Sequence, residues 1–388
     1  MNILKKYKDS YLSYFLMYAF YFLSWSLFST LISVYLMGMG FTASQVALVV
    51  SVSFGASLVV QPFIGVLNDL LSPKKINLVL FAFITIGGLL FINAKNLITI
   101  TILYSFVLML INGTMTMLER IATEAPYQYG KIRIWGTIGY AAGSALAGLL
   151  YQYIAPKAIF ITFIFTMLLC MLGVAGTQDH KIVSTKEKAT KSDFISIFKN
   201  KQFLIYLVIY SLFFGLWNLS NTYIPSMFQH DGMKISTVST WLSIAVLCEC
   251  PLVFFSHLFM DKINNKTLLI IIYVVAILQY IIYGFNMPVP IKMAITFIAK
   301  HPGSMLFVMA NIKIVNTIVD EHVQMTALAI AQTVRNLTSI VFQYIGGMIL
   351  EHTSYPQMFQ CCLVVITIGF IITLLYKLPK GKGQQLFH

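Results

Sequence analysis

The sequence predicts an all-α membrane protein, with twelve transmembrane helices arranged as two pseudo-symmetric six-helix bundles. Three observations carry this. Of the 388 residues, 58% are hydrophobic and only 10% charged, whereas a soluble domain carries about 25% charged residues. Apolar runs long enough to cross a bilayer, ~20 residues each, recur along the whole chain. One long polar stretch, 177–201, follows the sixth of them. The alternating ten-residue segments of a spanning β-barrel do not occur.

In order, the expected spans are 11–36, 44–67, 76–94, 97–118, 132–154, 157–176, 203–228, 237–259, 267–285, 291–312, 325–349 and 356–376. The first follows Lys5, Lys6 and Lys8. Its apolar run, Tyr11 to Met39, is too long for a signal-peptide core and reads as a spanning helix. The domain reading is a first bundle over 1–180, a cytoplasmic linker over 181–201 and a second bundle over 202–388.

Orientation follows from Lys and Arg. With the N-terminus inside, twenty of the 26 basic residues lie in cytoplasmic segments and four (Lys95, Lys157, Lys234, Lys292) in outer loops. That bias places both termini in the cytoplasm, at a cell inner membrane. It also accounts for the +13 net charge through anionic lipid headgroups, with no nucleic acid implied. Cys170, Cys248, Cys250, Cys361 and Cys362 all lie in apolar runs and read as buried small hydrophobes, with no metal and no cofactor implied.

After the second span comes Gly65-Val-Leu-Asn-Asp69-Leu-Leu-Ser-Pro-Lys74-Lys75. A glycine permits close helix approach, an aspartate can cap or pair across the loop, and a basic pair sits at the lipid interface. A weaker echo, Asp261-Lys262-Ile-Asn-Asn-Lys266, follows the eighth span, as duplication of a six-helix unit predicts. The first stretch resembles the signature of the major facilitator superfamily, although Leu70 and Ser72 stand where that signature has a basic residue and a second glycine. The resemblance implies the major facilitator fold, with Gly65, Asp69, Lys74 and Lys75 as a gating motif.

A second stretch, Tyr129-Gly130-Lys131-Ile-Arg133-Ile-Trp135-Gly136-Thr-Ile-Gly139-Tyr140, resembles the start of the fifth helix in the lactose-permease group of oligosaccharide–proton symporters and their relatives for nucleosides and phenylpropionate. Asn112 and Glu119 keep the spacing of that group's fourth helix, and Gln61-Pro62-Phe-Ile-Gly65 matches its second. The resemblance implies that Glu119 and Arg133 bind sugar hydroxyls and that Tyr140 stacks on the sugar ring. The residues themselves agree in part. Arg133 and Tyr140 are two helical turns apart and share a face, and a guanidinium with a carboxylate can bond vicinal hydroxyls bidentately. A structural salt bridge at the turn between the fourth and fifth helices, and a packed core aromatic at Tyr140, stand as the alternatives. Gly139-x-x-x-Gly143 reads as a small-residue packing face.

Ionisable groups inside a bilayer are costly and usually functional. Glu249, Lys300 with His301, and Arg335 fall near the midplane of the eighth, tenth and eleventh spans, where transporter sites sit. Pro251 and Pro302 follow closely and interrupt backbone hydrogen bonding. Glu249 is the proton-carrier candidate, the alternative being a structural ion pair with Lys300 or Arg335. By the resemblance, Lys300 falls where the group has its coupling histidine. The permease's proton-binding glutamate falls on Gly303, its seventh-helix aspartates on Asn218 and Asn221, and their lysine partners on Phe297 and Thr338. Trp217, Asn218 and Asn221 then offer stacking and neutral hydrogen bonding on the seventh helix.

The expected function is proton-coupled symport of a small polyhydroxylated solute, a sugar or oligosaccharide, by alternating access in a monomer. A nucleoside or aromatic-acid permease is the alternative. Export is disfavoured because the fifth helix has no proline before Pro156. No spacing of an intramembrane enzyme is present, so no catalytic residue is expected.

Overall fold

The computed structural model describes residues 7–70, 72–179, 197–320 and 323–379. Among these residues the secondary structure is helical and contains no strand. Ten segments are long and apolar enough to cross a membrane. Two further long helices, Tyr129–Tyr153 and Gln324–His352, occupy the expected fifth and eleventh spans without reaching that apolarity. Glycines with Lys131 and Arg133 dilute the first of these. Arg335, Asn336, Gln332 and Gln343 dilute the second.

The chain packs into two compact units, 1–185 with 222–247 and 186–221 with 248–388. The first contains α1 (Tyr11–Ser29), α2 (Ile32–Gly38), α3 (Ala43–Leu70), α4 (Pro73–Ile92), α5 (Leu97–Thr123), α6 (Tyr129–Tyr153) and α7 (Ala158–Gly176). It also holds the end of α8 (Lys201–His230) and all of α9 (Ile235–Leu247). Helix α1 lies between α6 and α7, α5 packs on α3 and α4, and α9 packs on α6. Phe28, Phe91, Tyr104, Phe160 and Phe163 form its aromatic core, with ring centroids 4.8–6.1 Å apart. The end of α8 is held there by Tyr223, whose hydroxyl donates to Ala43 O at 2.8 Å.

The second unit contains the start of α8, then α10 (Glu249–Phe254), α11 (Ser256–Phe259), α12 (Asn265–Gly284), α13 (Val289–Ala299), α14 (His301–Ile318), α15 (Gln324–His352) and α16 (Tyr355–Leu375). Here α12 packs on α16, α13 and α14, and α10 packs on α14. Tyr210, Phe213, Phe214, Tyr273 and Phe307 form the corresponding aromatic core.

Three spans expected as continuous helices are broken. The first is interrupted at Thr30 and Leu31, between α1 and α2. Prolines mark the other two. The eighth stops at Leu247 and restarts at Glu249, two residues before Pro251; the tenth stops at Ala299 and restarts at His301, just before Pro302. Proline supplies no N–H and its ring crowds the preceding turn, which is the physical reason for both breaks.

The duplication is visible in hydrogen bonds. Gly40 and Gly232, at φ 92° and 89°, end the first helix of each half. The next residue's N–H then reaches five residues back, Phe41 to Leu36 O and Met233 to Phe228 O, in the Schellman pattern that glycine permits. Further along, Lys74 Nζ donates to Thr177 O at 2.6 Å, and Lys266 Nζ donates to Leu374 O at 2.6 Å. Each lysine, at the start of a third helix, binds a carbonyl at the end of a sixth, where the helix dipole favours a cation. Replacing either with methionine is expected to lower stability by about 1 kcal/mol. Chemical unfolding of the detergent-solubilised protein would measure it, and an unchanged midpoint would contradict the assignment.

Several expectations are corrected. Lys313, counted among cytoplasmic loop residues, lies inside α14 with 0% exposure. Its Nζ donates to Met260 O and Ile263 O, so it ties α14 to the turn that carries the Asp261 echo motif. Of the cysteines, only Cys170 and Cys362 are buried. Cys250 is partly exposed, and Cys248 and Cys361 are exposed, because a helix surface without a packed neighbour leaves its side chains uncovered. Glu119 lies within α5, which runs to Thr123, and not at a loop edge.

Candidate functional site

In the first unit, the structure brings Glu119 and Arg133 together. Arg133 Nε lies 3.8 Å from Glu119 Oε1, with both side chains about one-third exposed, at 33% and 28%. The carboxylate is held from two sides: Tyr18 OH donates to Oε1 at 2.6 Å and Tyr129 OH to Oε2 at 2.7 Å. Two phenol donors fix the orientation of the carboxylate and leave lone pairs for a third donor.

The sequence reading missed the partner surface on α1. Tyr18, Phe22 and Trp25 recur at i, i+4 and i+7, so they form one face. The Arg133 guanidinium stands 6.0 Å from the Tyr18 ring centroid and 5.5 Å from that of Phe22. Tyr140 meets Trp25 edge-on at 6.2 Å. Arg133 and Tyr140 therefore do share a face, directed at this ladder. Its spacing was available as a signal but was masked by the other aromatics of α1, Phe15 and Phe20 among them.

The rest of the fifth-helix motif is structural. Trp135 Nε1 donates to Tyr11 OH at 2.8 Å, and that hydroxyl donates to Lys131 O at 2.8 Å. Together they clamp the start of α6 to α1. Gly139 and Gly143 face the α1 backbone: a Cβ there would lie 2.2 Å from Ala19 O and 2.5 Å from Leu23 O. Asn112 Nδ2 donates to Ser57 Oγ at 2.9 Å, joining α5 to α3. Gly65 and Asp69 lie on α3, but the Asp69 side chain is outside the described residues; Lys75 is exposed.

In the second unit the two broken spans meet. Glu249 Oε2 lies 3.9 Å from His301 Nδ1, with side-chain exposures of 19% and 13%. The group facing Glu249 at ion-pair distance is thus His301, and neither Lys300 nor Arg335 forms an ion pair among the described residues. The reason is geometric: the break at Lys300 restarts α14 at His301 and turns that side chain towards α10. Trp217 Nε1 donates to Lys300 O at 2.7 Å. The Arg335 guanidinium sits 4.4 Å from the Phe214 centroid and 5.8 Å from that of Trp217. Asn218 Nδ2 donates to Ser339 Oγ at 2.6 Å, tying α8 to α15. Asn221 is partly buried, and its Oδ1 accepts no hydrogen bond.

Membrane-length helices, charges kept inside spans and helices interrupted where those charges sit define a multi-pass membrane transporter of small molecules. The chain belongs to the Major Facilitator Superfamily, whose profile matches residues 14–299. It is similar to the uncharacterised transporter YwbF of Bacillus subtilis, 27% identical over 96% of this chain and 94% of that one. It is 24% identical to the sucrose permease of Escherichia coli over 68% of this chain and 69% of the permease. A crystal structure of a mutant form of the nucleoside transporter NupG superposes with a TM-score of 0.85 at 14% identity, covering 94% of this chain and 99% of that one, which shows a shared fold.

Proposed function

We propose that this protein is a proton-coupled symporter of a sugar or oligosaccharide, working by alternating access. It would act as a monomer in the inner membrane with both termini cytoplasmic, its six-helix halves at 1–180 and 202–388 joined by the linker 181–201. The observation that carries the reading is the Glu119 carboxylate, oriented by Tyr18 and Tyr129 beside Arg133. A carboxylate and guanidinium side by side accept from and donate to adjacent hydroxyls, while an aromatic face packs on a sugar's apolar face. Similarity to a sucrose permease points the same way. Tyr140, Asn112, Trp217, Asn218 and Asn221 complete the proposed solute contacts. Glu249, His301, Lys300 and Arg335 form the proposed coupling group, with Gly65, Asp69, Lys74 and Lys75 at the inner gate.

The test is uptake of labelled sugars by proteoliposomes under an imposed pH gradient. Gradient-dependent accumulation is expected, and its absence for every sugar removes the reading. Glu119→Gln and Arg133→Ala are each expected to weaken sugar binding about 10- to 100-fold, the loss of one charge-assisted contact. Ligand-induced thermal shift measures this, and a full shift in both variants refutes the site. Nucleoside transport is the second reading, favoured by the ladder Tyr18, Phe22 and Trp25, which would stack on a base. Competition by uridine and not by galactosides would select it.

A further inference from the structure

The two units differ in their internal charge. In the first, Glu119 and Arg133 balance one another. In the second, Glu249 shares the unit with two basic side chains, Lys300 and Arg335, and its ion-pair contact is to His301. Lys300 is 5% exposed, and its Nζ has no acceptor among the described residues. Arg335 Nε is buried and accepted by no group. The Arg335 guanidinium rests on Phe214 and Trp217, with Tyr210 beside it. Trp217 links the two cations, since its indole N–H binds the Lys300 carbonyl while its ring lies near Arg335. A partly buried guanidinium whose Nε–H has no acceptor, whose side chain is hydrogen-bonded to Tyr210 and whose face rests on aromatic rings is suited to a planar carboxylate. An uncompensated cation in the membrane interior is costly, so it is retained where a mobile anion neutralises it.

We infer that the transported solute carries an acid group, and that its carboxylate binds the second unit at Arg335, with Lys300 as the supporting charge. The inference rests on the carrier reading above and narrows the solute from a neutral sugar to an organic acid, a sugar acid in the first instance. Neither the carboxylate nor the cations change covalently; the acid enters as its anion.

The experiment uses the full-length protein and matched acid and neutral pairs: D-glucuronate with D-glucose, D-galacturonate with D-galactose, and 3-phenylpropionate with 3-phenylpropanol. Binding is read by isothermal calorimetry, with inorganic phosphate as a further arm. In the wild type, at least one acid is expected to bind about 10- to 100-fold more tightly than its neutral partner, the contribution of a charge-assisted bidentate contact. Arg335→Gln is expected to erase that difference, and Arg335→Lys to restore part of it. A wild-type size-exclusion profile and thermal midpoint show that each variant is folded. Should Arg335→Gln fail to fold, Lys300→Gln must reduce the acid preference instead. Equal binding within every pair overturns the inference while leaving the sugar-carrier reading standing. Phosphate binding as tight as the best acid, or no acid bound at all, also overturns it. Arg335-dependent binding of phenylpropionate alone keeps the inference and removes the sugar reading.

Discussion

Gly139→Val is expected to abolish the packing of the first unit, at a cost of at least about 3 kcal/mol. A Cβ at Gly139 would lie 2.2 Å from the Ala19 carbonyl oxygen, 3.0 Å from its carbon and 3.2 Å from its Cα. These are backbone atoms of α1, which α7 pins from the other side through Gly173, whose Cβ would meet Met17 N at 2.2 Å. No rotamer change can relieve such a clash, so α6 must move away from α1. That displacement would also part Arg133 from Phe22 and Tyr140 from Trp25, because these pairs span the same interface. Gly130→Ala serves as the control, since nothing lies within 4 Å of its Cβ position. Size-exclusion profile and thermal midpoint in detergent would read the effect. A monodisperse Gly139→Val protein with a native midpoint would mean that the α1–α6 approach is wrong.

Glu249→Gln is expected to abolish proton coupling while preserving solute exchange. Glutamine keeps the shape and polarity of the side chain but cannot carry a proton at this position. Glu249 stands at the restart of a broken helix, 3.9 Å from His301 at the restart of another. Small movements of α10 against α14 therefore change what faces the carboxylate, which is how proton uptake would be linked to the transport cycle. If one proton accompanies each solute, a pH difference of one unit supports up to about tenfold accumulation, since ~1.4 kcal/mol corresponds to a factor of ten. Proteoliposomes carrying Glu249→Gln should give none, yet exchange labelled for unlabelled solute at near wild-type rate. Retained pH-driven accumulation would exclude Glu249 as the carrier. Loss of exchange as well would show a structural defect, to be separated by His301→Asn, which removes the partner and leaves the carboxylate.

Much of the architecture was legible because apolarity and length are additive along a chain. The weakly apolar helices Tyr129–Tyr153 and Gln324–His352 were expected as spans from their apolar runs, although they fall short of the apolarity of the other ten. The breaks at Cys248 and Lys300 were half legible: Pro251 and Pro302 announce disturbed hydrogen bonding, but whether a helix bends, frays or stops depends on what packs beside it. The packing of residues 222–247 within the first unit was not legible. It depends on particular close approaches, such as Gly148 against Ser239 and Ile235 O, that leave no periodic trace. At the site, Glu119 and Arg133 were expected as neighbours and are neighbours. The phenols that orient the carboxylate were missed, since Tyr18 and Tyr129 look like any of the 21 tyrosines until the helices are set side by side. The facing of Glu249 and His301 was missed for a related reason: it depends on the helix stopping at Ala299 and restarting at His301, which an unbroken tenth span does not show.

The lysine ties between the third and sixth spans of each half carry a consequence for biogenesis. The bond from Lys74 to Thr177 spans 103 residues and that from Lys266 to Leu374 spans 108. Neither can close until the last helix of its own half has left the ribosome. Each half therefore acquires its latch only at the end of its own synthesis, and a nascent chain halted before Thr177 would present Lys74 without a carbonyl to receive it.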